Sequence, residues 1–182
     1  MRTQLETRML VVYALDAMLE TMPYSRVTVS ALCEAVGISR TAFYRYYPTL
    51  NDVPNWLWCH ILEGSLCQIG PECSFYEGHL RCFEHLLSWR DFFAKVFRDE
   101  GVNSPVKLSG RSVLDLYREM AAKNGTDVTG TAELLQVEFF NEGASAMTRK
   151  WAVEGMREDP RDIAACFDSL APAHLKRMLR AR

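Results

Sequence analysis

The sequence predicts an all-α protein, and three observations carry that prediction. Apolar residues recur three and four positions apart along most of the chain, the spacing that lines one face of an α-helix. Nearly every interruption carries helix-ending chemistry, a glycine or a proline often with a capping residue beside it. No stretch sustains the alternation of a half-buried β-strand. The expected order is three short helices, then about six longer ones.

Leu5, Met9, Val12, Tyr13, Ala17 and Leu19 have helical spacing, and Pro23 ends that segment. Val29, Leu32, Cys33 and Val36 stand at i, i+3, i+4 and i+7, the apolar face of a short second helix. Thr28 offers an oxygen to an orphan N–H at its start, and Gly37 suits the left-handed stop at its end. Ser39 caps a third helix that Pro48 terminates. A fourth segment is expected from about Leu50 to Ile69, broken at Gly70-Pro71. Further helices are expected over roughly Phe75–Ser88, Arg90–Glu100, Pro105–Lys123 and Thr129–Val153, and after Pro160. Turn chemistry separates them at Gly101, at Asn124-Gly125, at Gly155 and at Asp159-Pro160.

Composition narrows the function. The 182 residues are 48% apolar and 24% charged, as in a globular protein. A net charge of −2 gives no global field for nucleic acid, so any basic patch is local. No apolar run approaches the ~20 residues needed to span a bilayer. The first residues lack the apolar core of a signal peptide. The expectation is a cytoplasmic protein with its six cysteines reduced and no membrane partner.

The stretch Tyr44-Arg45-Tyr46-Tyr47 follows the glycine turn and precedes a proline. A core would prefer Leu and Ile there, and a solvated face Lys and Glu. Two short helices joined at Gly37-Ile38-Ser39 form a helix-turn-helix, whose second member lies in the major groove of DNA. Phe43 is expected to anchor that helix inward, and Tyr47 to join the core. Arg40 stands where base edges lie, and arginine reads guanine with two parallel hydrogen bonds. Thr41 and Ala42 keep that end slim. Tyr44 and Tyr46 carry hydroxyls suited to phosphates, with Arg45 a further phosphate partner. Thr28 and Ser39 complete the expected DNA-binding set.

At these residues the chain resembles the TetR/AcrR family of regulators. The resemblance rests on Thr28-Val29, Leu32, Val36-Gly37-Ile38-Ser39, Ala42-Phe43-Tyr44 and Tyr46-Tyr47. It implies a DNA-binding module over 1–48 and an effector-binding and dimerisation domain over 49–182. It implies a ligand-responsive repressor that binds a pseudo-palindromic double-stranded operator as a homodimer. It implies an unidentified small-molecule effector, no cofactor and no enzymatic activity. A narrower similarity, carried by Phe139-Phe140, Gly143, Trp151, Gly155 and Pro160, is to regulators of dihydroxyacetone kinase operons; no ligand is taken from it. The chain departs from the family at Leu50, where a phosphate-facing lysine is usual, and at Pro54. Between residues 24 and 50, Arg26, Arg40 and Arg45 face only Glu34, a thin positive patch.

Large apolar residues on the intervening helices are the pocket candidates: Trp56, Phe83, Trp89, Phe93, Phe97, Tyr117, Met120 and Phe139. The dimer face is expected on the last helices, at Leu135, Phe140, Ala144, Met147, Trp151, Ile163, Phe167 and Leu170. Two other readings use the same residues. One keeps the fold but makes the protein a co-regulator acting through a partner protein, because Leu50 and the thin charge weaken DNA contact. The other takes Cys59, His60, Cys67, Cys73, His79, Cys82 and His85 as a metal or redox sensor. No Cys-x-x-Cys occurs among them, and no catalytic motif occurs anywhere.

Overall fold

The computed structural model describes residues 3–98, 105–125 and 130–180. Its helices begin where side chains can replace missing backbone partners. In α1 (Gln4–Thr21), Thr3 and Glu6 form a reciprocal capping box. In α2 (Val29–Val36), the Thr28 hydroxyl accepts from the Ala31 N–H. Gly37 ends α2 in the left-handed region, at φ 72°, which a Cβ would penalise. Ser39 caps α3 (Arg40–Tyr46) by accepting from the Ala42 N–H at 3.1 Å.

The helix α4 spans Asp52–Glu63. It starts later than the pattern from Leu50 suggests, because Thr49 donates both its N–H and its hydroxyl to the Asp52 carboxylate. Pro54 falls in the first turn, where its missing N–H has no partner to lose. The helix also ends early, at Gly64, and a single 3₁₀ turn (Leu66–Gln68) leads on to Ile69.

Ser74 and Glu77 box the start of α5 (Phe75–Ser88). Then follow α6 (Arg90–Phe97), α7 (Pro105–Lys123) and α8 (Thr131–Val153). The expected endpoints Glu100 and Thr129 and the turn at Gly101 lie outside the described residues. Asp159 caps α9 (Pro160–Leu170), with Pro160 in the first turn. What was expected as one helix after Pro160 is two, because Ala171-Pro172 interrupts it before α10 (Ala173–Leu179). The first helix is long, not short. Among the described residues there are ten α-helices and no strands.

One continuous apolar core runs from Val11 and Leu15 on α1 to Leu175 and Leu179 on α10. The helix α5 packs along α9, α6 and α7 pack on α8, and α1 touches α2, α4 and α6. Close approach of α5 to the turn before it requires Gly78, since a Cβ there would collide with the Ile69 side chain. Tyr13 and Ala17, expected on the buried face of α1, are exposed, and Tyr13 stacks on Trp89 at 5.5 Å. Val12 and Leu19 are buried as the spacing suggests, together with Val11 and Leu15, whereas Leu5 is exposed as well.

Candidate nucleic-acid interface and effector cavity

Helical geometry divides α3 into two faces. Phe43 and Tyr47, at i and i+4, are buried. Phe43 anchors α3 on the core, and the Tyr44 ring stands edge-on to it at 5.5 Å. Arg40 with Tyr44, and Thr41 with Arg45, repeat at i and i+4 beside that face and turning away from it, and all four are exposed. Tyr44 is 46% exposed, although an aromatic ring of that size gains most from burial. Ala42 is half-buried. Tyr46 is half-buried and packed against the core, so its ring serves α3 packing more than the sequence suggests. Thr28 and Ser39 are exposed caps whose hydroxyls each accept a backbone N–H.

Tyr47, at the end of α3, ties this unit to its neighbours. Its hydroxyl donates to the Arg8 carbonyl at 3.1 Å. The Arg8 guanidinium lies over the Tyr47 ring at 5.6 Å and the Trp56 ring at 5.5 Å, so α1, α3 and α4 meet at one cation–π cluster. Leu50 is half-buried against the core and offers no charge to a phosphate.

A cavity of about 40 Å³ lies among α4 to α9. Of the expected pocket residues, Phe83, Phe97 and Tyr117 line it. The others do not. Trp56 faces Arg8 and Tyr47, and Trp89 stacks on Tyr13. Phe93 stands behind Trp58 at 6.3 Å, and Met120 is buried a turn further along α7. Phe139 is 84% exposed and belongs to an outer surface.

Sequence reasoning missed the polar lining: Trp58, His79, Asn141, Ser145, Thr148 and Arg149. The signal was present on α8, where Asn141, Ser145 and Thr148 repeat at i, i+4 and i+7 in an otherwise apolar-faced helix. His79 is buried, and its Nδ1–H donates to the Phe75 carbonyl at 2.8 Å. That fixes the tautomer, so Nε2 accepts from the Tyr117 hydroxyl at 3.0 Å. Burial lowers its pKa to about 4, so the ring is neutral.

The dimer-face expectations also divide. Trp151, Ile163 and Phe167 are buried within the chain itself. Phe167 packs edge-on to Phe83 at 5.2 Å, and the Trp151 indole donates to the Glu158 carbonyl. Phe140 is also buried, close to Phe75 and Phe167. These four fill the core because α9 lies along α5. Leu135, Met147 and Leu170 are exposed and line, with Phe139, Phe140 and Ala144, an apolar groove of about 720 Å³ between α8 and α9.

The cysteines and histidines do not converge. His79 and Cys82 are inside, whereas Cys59, His60 and His85 are at the surface. Among the described residues, no three His, Cys, Asp or Glu side chains group so as to hold a metal ion. Burial pushes the Cys82 thiol up to about 12 and raises Cys67 and Cys73 as well, which disfavours the reactive thiolate.

No family model and no curated sequence matches the chain. Solved structures do match. The dihydroxyacetone kinase operon activator DhaS superimposes with a TM-score of 0.59 at 16% identity, covering 93% of this chain and 96% of its own. FadR of Thermus thermophilus, described as a TetR-family transcriptional repressor in complex with lauroyl-CoA, superimposes with a TM-score of 0.55 at 14% identity, over 90% and 92% of the two chains. At such identities the likeness concerns the fold, and it runs over nearly the whole length of all three. The helix-turn-helix at the start, the cavity-bearing bundle and the final helices are thus arranged as in those proteins, and this chain has the fold of the TetR-family transcriptional regulators.

Proposed function

We propose that the protein is a cytoplasmic, ligand-responsive transcriptional repressor that binds a pseudo-palindromic DNA operator as a homodimer. The observation that carries this reading is the exposed row Arg40, Thr41, Tyr44 and Arg45, held rigidly by buried Phe43 and Tyr47. Such a row offers a base reader and phosphate partners to a major groove. Residues 1–48 act as the reading module and 49–182 as the regulatory one. The apolar groove formed by Leu135, Phe139, Met147 and Leu170 is the surface that a second copy covers, since a patch this apolar marks an interaction site. The effector enters the cavity among α4 to α9, and its binding alters the spacing of the two reading helices. A coupling of ~1–3 kcal/mol changes operator affinity about 5–150-fold.

Electrophoretic mobility shift with the DNA upstream of its own gene tests this. A retarded band with that DNA, lost against unrelated DNA at equal salt, is expected. The half-buried Leu50 and the thin positive charge favour a second reading, in which the protein acts through a partner protein. Absence of a band for the protein alone, with one appearing when a second protein is added, would support that reading instead.

A further inference from the structure

Trp56 and Trp58 are i and i+2 on α4, about 200° apart around the helix. Trp56 faces the reading module, under Arg8 and edge-on to Tyr47. Trp58 faces inward, edge-on to Phe93 at 6.3 Å and Phe97 at 6.4 Å, and is 6% exposed. One helix therefore presents one indole to the reading module and another to the cavity.

The Trp58 indole N–H is buried and reaches no acceptor among the described residues. A buried unpaired donor forfeits the bond it would make to water, and native proteins rarely leave one without a reason. Four of the polar groups around it are engaged otherwise. His79 Nδ1–H donates to the Phe75 carbonyl, Tyr117 donates to His79, and Thr148 donates to the Ala144 carbonyl. Arg149 Nε donates to the Phe97 carbonyl. No carboxylate is among the described lining residues, so a cationic ligand would sit unpaired, at prohibitive cost. A carboxylate could pair with Arg149 but would first have to shed its water, a cost that a neutral oxygen avoids. The volume of about 40 Å³ equals roughly one or two waters, so the occupant is small. Its remaining surface meets Phe83, Phe97 and Val113.

We propose that this cavity takes a small uncharged molecule with one carbonyl or hydroxyl oxygen, which accepts from the Trp58 indole N–H. The contact is made on α4 itself, so the ligand acts on the helix that grips Arg8 and Tyr47 with its other face. This deepens the effector reading above and rests on it.

The test is nuclear magnetic resonance of the ¹⁵N-labelled full chain, whose four tryptophans give separate indole N–H signals. Methanol, formamide, formate and methylammonium, each of two or three heavy atoms, are titrated in turn. Trp58→Phe, which keeps a ring against Phe93 and Phe97, identifies the signal by its loss. Ser145→Leu keeps every indole and fills the cavity, so it serves if the first variant fails to fold. The expected result is a saturable downfield shift of the Trp58 signal with methanol and formamide, none with the two ions, and loss of the response in Ser145→Leu. A signal that no neutral compound moves, held by a structural water alone, overturns the proposal. So does a response to formate that exceeds the response to methanol. The readout contains no DNA, so failure here and failure of operator binding in the mobility shift are told apart.

Discussion

The Tyr47 hydroxyl donates to the Arg8 carbonyl at 3.1 Å while the Arg8 guanidinium covers the Tyr47 ring at 5.6 Å. One pair thus fastens the end of α3 to α1 twice, through a backbone acceptor and through a ring face. Tyr47→Phe keeps the ring and removes the hydrogen bond. It should cost about 1 kcal/mol, seen as a fall of roughly 2–4 °C in melting temperature. Arg8→Met keeps the aliphatic stem and removes the cation, and should cost a similar amount. Thermal unfolding by circular dichroism measures both, and unchanged stability in both variants would mean the cluster holds nothing.

The exposed row on α3 separates into roles that substitutions distinguish. Arg40→Ala should cost ~1–3 kcal/mol on the best operator and much less on scrambled DNA, because only the right base offers both acceptors. Tyr44→Phe should weaken both DNAs by a similar factor and barely move the salt dependence, since the lost hydroxyl is uncharged. Arg45→Ala should flatten the salt slope by about one unit. Fluorescence anisotropy over a salt series reads all three. Uniform loss from Arg40→Ala with selective loss from Tyr44→Phe would reverse their roles.

Much of this was legible because capping and turn chemistry are local. Thr28, Gly37, Ser39 and Pro48 set the limits of α2 and α3 from their own side chains, and Phe43 faces inward as the pattern requires. What was not legible depends on which helix lies beside which. Phe167 and Trp151 carry the same apolar character as Leu170 and Met147. Only the packing of α9 along α5 decides that the first two are interior and the others outside. Trp58 was missed and Phe139 misplaced for the same reason. Apolar bulk identifies a residue that seeks burial, not the surface that buries it.

The outer groove gives a contrast between neighbours on α8. Phe139→Glu places charge on a side chain 84% exposed in the single chain, and should leave the fold intact while yielding a 20.8 kDa species in sedimentation. Phe140→Glu buries charge among Phe75 and Phe167 and should prevent folding. Phe139→Glu that remains dimeric would move the interface elsewhere.

His79 makes stability depend on pH in a defined window. Its pKa of about 4 in the folded chain lies below the ordinary 6.5, because burial penalises the charged ring. Between those values the unfolded chain takes up a proton that the folded chain refuses. Stability should therefore fall as pH drops from 6.5 towards 4, by up to roughly 3 kcal/mol, and this contribution should level off below. His79→Gln keeps a donor for Phe75 and an acceptor for Tyr117 without titrating. Urea unfolding across that range should show a shallower slope for the variant; identical slopes would contradict the assignment.

The central claim is that two copies of α3, held by one dimer, read two half-sites. Selection of bound duplexes from a random library by the purified protein, followed by sequencing, tests it most directly. The account predicts enrichment of an inverted repeat whose half-site centres lie about 34–36 Å apart, or a multiple of that, because the major groove returns to the same face once per turn. The enriched positions should lose their base preference with Arg40→Ala. A pool with no enriched sequence, or a single unrepeated site unaffected by Arg40→Ala, would contradict it.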